Sequence, residues 1–490
     1  MPEQSLKDKT VRGVGWSAAE AFLGHGVSFI VGLVLARLLT PDEYGLIGIV
    51  TIFTTVLSGF VDCGFANSLI RKPKVTNDDY NTMFIVNMVM SVAMYMLLYF
   101  AAPAIARFFN RTELVVLVRA MGFLLILQAL SIVQNTILIR NVDFKTKTKA
   151  SIISSVISGI VGIVMALSSC GVWSLVVQSF VYRSVYTIFL WNFNRWWPKW
   201  RFCMDSCRYM WGFGWKLLVS GLIDRVWSQL YQTVVGKFYT PATLGQYSRA
   251  KDYAALFSSN LNAIVQRVSY PVLAQLQEDV SRMVAAYRRV IKTTMFVTVI
   301  IMFMMGAVAE PLIYCLIGPQ WHQAATFLPF ICVSMSFYPL HSINLNMLQV
   351  QGRTDIFLKL EIIKKFLAVG PLCLGIFLNI YWMLIGSVIL NIICIFINTN
   401  YTGKKLEYPW WMQMRDVAPS YGIGLLIALS VYFFKYLPVS YFVILPIQVI
   451  IGAVVFLVVC KVTKLPEYEE VKGMLGDYLE GIKRKSRIRK

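Results

Sequence analysis

Arg37-Leu38-Leu39-Thr40-Pro41-Asp42-Glu43-Tyr44-Gly45 returns as Lys237-Phe238-Tyr239-Thr240-Pro241-Ala242-Thr243-Leu244-Gly245, 200 residues later. Each copy runs from a cation through bulky residues to Thr-Pro and then to a glycine. Thr-Pro is turn chemistry, because proline fixes its own φ and pushes the preceding residue out of the helical region. Both copies lie between long apolar stretches. Upstream, Gly15-Trp16 is echoed by Gly214-Trp215, and farther on Leu138 and Lys149 fall opposite Leu348 and Lys359 at a shift of 210. Six apolar stretches separate equivalent points, so both copies enter a membrane in the same sense. That is a parallel repeat, an arrangement common in alternating-access transporters.

Composition requires the membrane. Hydrophobic residues make up 57% of the 490 residues and charged residues 14%, against roughly 25% charged in ordinary soluble proteins. The mean hydropathy is +0.62. A soluble globule of this length has too little interior to hide so much apolar side chain, which excludes a soluble enzyme, a disordered chain and a coiled coil. A helical span needs roughly 20 apolar residues to cross about 30 Å of hydrocarbon. By that measure about fourteen stretches qualify: 14–38, 44–66, 80–103, 113–137, 150–169, 171–193, 213–238, 242–268, 290–317, 324–349, 357–379, 381–400, 417–437 and 440–462. Those beginning at 150, 213 and 242 are interrupted by polar or charged residues. The first contains Glu20 and His25 and is too long for a cleavable signal peptide.

The expected fold is therefore an all-α polytopic membrane protein of about fourteen transmembrane helices. Residues 1–200 and 201–400 form two six-helix bundles, 401–462 two additional helices, and 463–490 a basic amphipathic cytoplasmic tail. In the tail, Leu465, Tyr468, Val471, Leu475, Tyr478, Leu479 and Ile482 recur at helical spacing ahead of Lys483, Arg484, Lys485, Arg487, Arg489 and Lys490. That pattern suits the surface of an anionic leaflet. The formal net charge is +21. In a membrane protein such an excess points first to the positive-inside rule and to phospholipid, not to nucleic acid. With the N-terminus cytoplasmic, the inside segments collect nearly all of the cations, among them Arg71, Lys72, Lys74, Arg140, Lys145, Lys147 and Lys149. The outside loops keep little beyond Arg107, Arg111 and Lys435. Both termini are then cytoplasmic.

Chemistry that needs a cofactor has no footing. The nine cysteines and three histidines are scattered, and Cys203 and Cys207 alone match no zinc or redox spacing. No H-E-x-x-H pattern and no phosphate-binding G-x-x-x-x-G-K-[ST] loop occurs. The expected metal and cofactor content is none, and the expected activity is not enzymatic.

What stands out is charge within the spans, where an ionisable side chain costs about 2.5–3.5 kcal/mol on insertion scales unless it faces water or a partner. The spans hold Arg119, Arg183, Lys216, Arg225, Arg249, Lys251 and Arg267 against Glu20, Asp62, Asp224 and Asp252. Pairing cannot neutralise that surplus. Lys216, Arg267 and Arg119 lie near enough to span ends to snorkel; Arg225 lies deeper. A water-filled, net-positive cavity accounts for the rest, and its candidate lining is Arg225, Arg183, Arg249, Arg119 and Lys251. Guanidinium and ammonium groups in such a cavity suit phosphate. The acids Glu20, Asp224, Asp62 and Asp252 are candidates to couple transport to protons or sodium, although Asp224 could equally serve only to neutralise its neighbours.

The motifs resemble one family. Leu38-Leu39-Thr40-Pro41-Asp42-Glu43-Tyr44-Gly45, Asp62-Cys63-Gly64-Phe65, Leu69-Ile70-Arg71-Lys72, Tyr247-Ser248-Arg249-Ala250, Tyr270-Pro271-Val272-Leu273, Gln275-Leu276-Gln277, Glu310-Pro311-Leu312-Ile313, Gly318-Pro319-Gln320-Trp321 and Gly352-Arg353-Thr354-Asp355 occur in its order. Together they are similar to the polysaccharide-transport branch, the Wzx-type flippases, of the multidrug/oligosaccharidyl-lipid/polysaccharide exporter superfamily. The resemblance implies alternating-access movement of an undecaprenyl-diphosphate-linked oligosaccharide to the outer leaflet of the bacterial inner membrane, without ATP hydrolysis. The product would be a surface polysaccharide such as O-antigen, capsule or exopolysaccharide, with other polysaccharide-assembly membrane proteins as candidate partners. The resemblance brings no catalytic motif, and among the cations only Arg249 lies in a family-like segment. Alternative readings are a multidrug/cation antiporter of the same superfamily, which would favour an acidic cavity, and a membrane-embedded polysaccharide polymerase, which should carry a large periplasmic loop.

Overall fold

The computed structural model describes residues 25–194, 196–276, 279–473 and 476. Among them the regular structure is helical throughout, as lipid requires, since only a helix satisfies its own backbone groups away from water. By contact the chain separates into two compact units, residues 1–245 and 246–490.

In the first unit the helices are α1 (His25–Leu38), α2 (Pro41–Asp62), α3 (Phe65–Arg71), α4 (Asn77–Phe109), α5 (Leu114–Gly122), α6 (Leu124–Arg140), α7 (Phe144–Leu167), α8 (Trp173–Asn194) and α9 (Met204–Phe238). The boundary at Gly245 lies beyond the expected one at residue 200, because α9 packs on α2, α3 and α4. Helix α10 (Pro241–Gln275) leads into the second unit. There follow α11 (Val280–Ala307), α12 (Ala309–Ile317), α13 (His322–Ser336), α14 (Tyr338–Val350), α15 (Thr354–Leu367), α16 (Val369–Phe377), α17 (Ile380–Leu406), α18 (Trp410–Tyr432) and α19 (Tyr441–Thr463).

Nine helical segments among the described residues are long and apolar enough to cross a membrane. Helices also occupy the other five expected stretches. Of these, α1 is described only from His25, α8, α9 and α10 are more polar, and 357–379 is divided into α15 and α16.

Local chemistry sets the helix ends. Thr40 and Glu43 form a capping box at the start of α2: the Glu43 amide donates to Thr40 Oγ1 at 3.4 Å and the Thr40 amide to Glu43 Oε2 at 2.7 Å. Thr76 and Asp79 repeat it on α4, where the Lys72 ammonium also reaches Asp79 at 2.7 Å. Two orphan amides are satisfied at each start. Arg140 does the converse at the end of α3. Its Nη1 donates to the carbonyls of Leu69 at 2.6 Å and Lys72 at 2.5 Å, and its Nη2 to that of Pro73 at 2.8 Å. A cation there also meets the negative end of the helix dipole.

The two Thr-Pro-x-x-x-Gly motifs touch each other. A Cβ on Gly45 would lie 1.7 Å from the Pro241 carbonyl oxygen, and one on Gly245 would lie 2.0 Å from that of Pro41. Each copy therefore presses its proline turn onto the other copy's glycine, and neither glycine admits a side chain.

A buried polar network ties the second unit. The Tyr287 hydroxyl on α11 donates to Asn344 Oδ1 on α14 at 2.8 Å, and Thr402 on α17 donates to the same oxygen at 2.7 Å. Asn344 Nδ2 then reaches Gln413 Oε1 on α18 at 3.2 Å. One asparagine thus joins four helices, and interhelical hydrogen bonds of this kind contribute about 0.6–2 kcal/mol each in a membrane. Nearby, Arg288 pairs with Asp416, which also accepts the Tyr408 hydroxyl at 2.7 Å.

The described part of the tail docks on the second unit. Residues 466–473 are helical, and Leu465, Tyr468 and Val471 pack against the cluster built on Phe296, Ile423, Ile427 and Cys460. Glu470 pairs with Arg289, and Glu467 with Lys292 at 2.5 Å. These three apolar residues thus pack on protein, and the two acids pair with α11. The basic residues 483–490 lie outside the described residues.

Two outcomes follow from this packing. Gly45→Ala and Gly245→Ala should each lower the melting temperature of the purified protein, since overpacking against backbone costs about 1–3 kcal/mol. Gly26→Ala, which meets open space, should not. The double change Glu467→Gln/Glu470→Gln should speed tryptic cleavage at Lys464 and Lys472 by about threefold to tenfold, by removing ion pairs of modest strength from a marginally held segment. An unchanged digestion rate would assign the docking to Leu465, Tyr468 and Val471 alone.

Candidate functional site

The site begins where α2 breaks. Cys63 and Gly64 have φ of 52° and 71°, in the left-handed region, so the helix stops after Asp62 and restarts as α3. Asp62 Oδ1 accepts from the Ala66 amide at 3.4 Å across the break. Glycine at 64 also allows close approach, because a Cβ there would lie 2.5 Å from the Gly214 carbonyl oxygen of α9. Farther along α9, Arg225 lies over the bare backbone of Gly59, where a Cβ would sit 3.2 Å from its Nη1. That nitrogen donates to Ser58 Oγ at 2.8 Å and to the Thr55 carbonyl at 3.4 Å. The guanidinium is thus oriented by neutral acceptors.

Arg225, Ser58 and Asp62 open onto a cavity of about 400 Å³ inside the first unit. One face of α6 supplies a wall: Gln128, Ser131, Ile132, Asn135, Thr136 and Ile139, at steps of three and four residues. Lys147 and Ser151 come from α7, Tyr182, Arg183 and Tyr186 from α8, and Ala66, Asn67 and Ile70 from α3. Among the lining residues are three cations, Lys147, Arg183 and Arg225, and one carboxyl, Asp62. No ion pair engages Arg183 or Arg225 among the described residues.

The polar wall of α6 is divided in its bonding. Ser131 and Thr136 donate to carbonyls of their own helix, those of Gln128 at 2.8 Å and Ile132 at 2.9 Å. Asn135 Oδ1 is buried and has no partner among the described residues. A buried acceptor without a donor is costly, and this one belongs to a residue that lines the cavity.

Of the residues singled out by sequence, the cavity brings together Arg225, Arg183 and Asp62. Arg119 lies elsewhere: its guanidinium covers the Tyr99 ring at 4.2 Å and donates to the Tyr99 carbonyl at 3.4 Å. Asp224 is exposed on α9 and does not line the cavity. Arg249, Lys251 and Asp252 belong to the second unit, with Arg249 and Asp252 paired at 3.8 Å. Glu20 lies outside the described residues. Sequence reasoning missed Lys147, placed in a cytoplasmic loop, and the neutral lining Gln128, Asn135, Tyr182 and Tyr186. The polar stripe Gln128, Ser131, Asn135 within an apolar stretch was the signal available.

A larger opening of about 740 Å³ in the second unit is lined by Arg288, Arg289, Lys292, Glu467 and Glu470. Each of its cations is already paired with an acid, so it offers no surplus charge to an anion.

Comparison with known proteins agrees with this architecture. The chain is 24% identical over 372 residues to the succinoglycan biosynthesis transport protein ExoT of Rhizobium meliloti, covering 76% of this chain and 75% of that one. It is 24% identical over 355 residues to the teichuronic acid biosynthesis protein TuaB of Bacillus subtilis, with 72% and 73% covered. With the lipopolysaccharide biosynthesis protein WzxC of Escherichia coli K12 it shares 21% over 377 residues, 76% of each. In fold it is similar to the lipid II flippase MurJ in an inward closed conformation, with a TM-score of 0.67, 15% identity, and 92% of this chain and 98% of that one covered. It is also similar to an inward-facing multidrug resistance transporter of the MATE family, with a TM-score of 0.60, 14% identity, and 79% and 98% covered. The family described as polysaccharide biosynthesis protein matches residues 34–326, more than half of the sequence. The chain belongs to that family.

Proposed function

We propose that the chain is a flippase that carries an undecaprenyl-diphosphate-linked oligosaccharide across the bacterial inner membrane by alternating access, for surface polysaccharide assembly. The observation that carries this reading is the polar cavity in which Lys147, Arg183 and Arg225 outnumber Asp62. A diphosphate loses its hydration on entering a membrane, and fixed guanidinium groups replace it with charge-assisted hydrogen bonds. Arg225 is suited to this, because Ser58 and Thr55 orient it without neutralising it. Membership in a polysaccharide biosynthesis family and likeness to a succinoglycan transport protein support the glycan as cargo. The cationic excess argues against a carrier of cationic drugs. The bias of Lys and Arg toward one set of loops supports cytoplasmic termini. Asp62 stands beside the cations and is the carboxyl best placed to couple their charge to a proton or sodium ion.

The test is flipping of fluorescent undecaprenyl-diphosphate oligosaccharide in proteoliposomes, followed by a membrane-impermeant quencher. Arg225→Ala should insert normally and flip at least about tenfold more slowly, a charge-assisted hydrogen bond being worth roughly 1.5–3 kcal/mol. A wild-type rate in that variant would overturn the cationic-cavity reading. An imposed proton or sodium gradient should accelerate the wild type, and Asp62→Asn should remove the acceleration. Flipping indifferent to both gradients would eliminate ion coupling.

A further inference from the structure

The cations explain how the cavity meets phosphate, but they leave much of its lining without a task. A site for phosphate alone needs cations and amide donors, whereas this one also presents Tyr182, Asn135 and Gln128. Resting on the flippase reading above, the geometry points to a saccharide-reading subsite: the Tyr182 ring stacks on a sugar of the cargo while Asn135 Oδ1 accepts one of its hydroxyls.

A pyranose has a rim of hydroxyls and a face of C–H bonds. It is recognised in a water-poor cavity by an aromatic surface for the face and by amide or carboxylate groups for the rim. Both parts are present here. The Tyr182 and Tyr186 rings are parallel within 7°, with centroids 6.1 Å apart. Tyr186 is buried against Leu138, Ala150 and Leu190, so it braces its neighbour. Tyr182 is only half-buried and lines the cavity. A braced aromatic ring offers area at little cost in side-chain entropy. Asn135 supplies a buried oxygen with no donor of its own. Ser131 and Thr136 on the same wall donate within α6 and so do not fill the Asn135 oxygen. At about 400 Å³ the cavity is at the small end of ligand sites, which run roughly 300–1,000 Å³. It therefore encloses a sugar or two and leaves the rest of the oligosaccharide and the polyprenyl chain outside. Tyr182 and Asn135 are specificity-determining residues in this arrangement, while Arg225 and Arg183 bind the diphosphate whatever sugar it carries.

The experiment is native mass spectrometry of the purified full-length protein with two probes. One is undecaprenyl diphosphate, and the other is the undecaprenyl-diphosphate-linked glycan extracted from cells that express this chain. The wild type should bind the glycan-bearing probe about tenfold more tightly, the sum of one stacking contact and one satisfied buried acceptor. Tyr182→Ala and Asn135→Leu should each reduce that preference severalfold and leave affinity for the bare diphosphate lipid unchanged. Tyr182→Phe should retain most of it, and Arg225→Ala should weaken both probes alike. A general folding defect would lower both affinities together and could not move their ratio alone. Equal wild-type affinity for the two probes, or an unaltered ratio in Tyr182→Ala, overturns the saccharide subsite and leaves the flippase reading intact. Binding of neither probe by the wild type overturns the flippase reading and the subsite with it.

Discussion

Arg225 lies on a helix that hydrocarbon would make expensive for any cation, and it is held by one hydroxyl and one carbonyl of α2. Much of the first unit is arranged so that this can happen. Gly59 removes the side chain that would push α9 away, and Gly64 with Gly214 lets the two backbones touch. The left-handed residues Cys63 and Gly64 end α2 and leave Asp62 at the cavity edge. A half-buried cation that is oriented but not paired keeps its field for a ligand. An ion pair in the same place would have given up most of that field and added little net stability.

The second unit handles charge differently. Arg288, Arg289 and Lys292 on α11 all have acidic partners, two of them supplied by the segment after α19. Its interior is instead joined through neutral groups centred on Asn344. Arg183 and Arg225 in the first unit's cavity have no ion-pair partner among the described residues, whereas the cations on α11 hold helices together. Composition alone does not reveal the difference, because it counts both sets in the same net charge.

The polar stripe on α6 connects local structure to selectivity. Four residues, Gln128, Ser131, Asn135 and Thr136, put amides and hydroxyls on one helix face, and α7 and α8 close the space before them. Hydroxyls that bond back to their own helix cost little there. Asparagine and glutamine are too polar for lipid and so must face protein, water or ligand. Helix packing, not turn chemistry or charge, therefore gives this wall its function.

The membrane class, most of the helical spans, the repeat and the surplus cations within spans were legible from the chain alone. These follow from hydropathy, from period, and from the cost of charge in hydrocarbon, all of which act locally along the chain. The sequence also marked Arg225, Arg183 and Asp62, because each is out of place in an apolar stretch. Which charged residues share a cavity depends on packing between distant segments. Arg119 is as conspicuous in sequence as Arg183, yet it is spent on Tyr99, while Lys147, which reads as a loop cation, lines the cavity. Likewise the tail has the spacing of a lipid-binding helix, but its described turns are covered by α11 and α19. Spacing fixes which residues share a helix face, and what covers that face depends on chain segments far away in sequence.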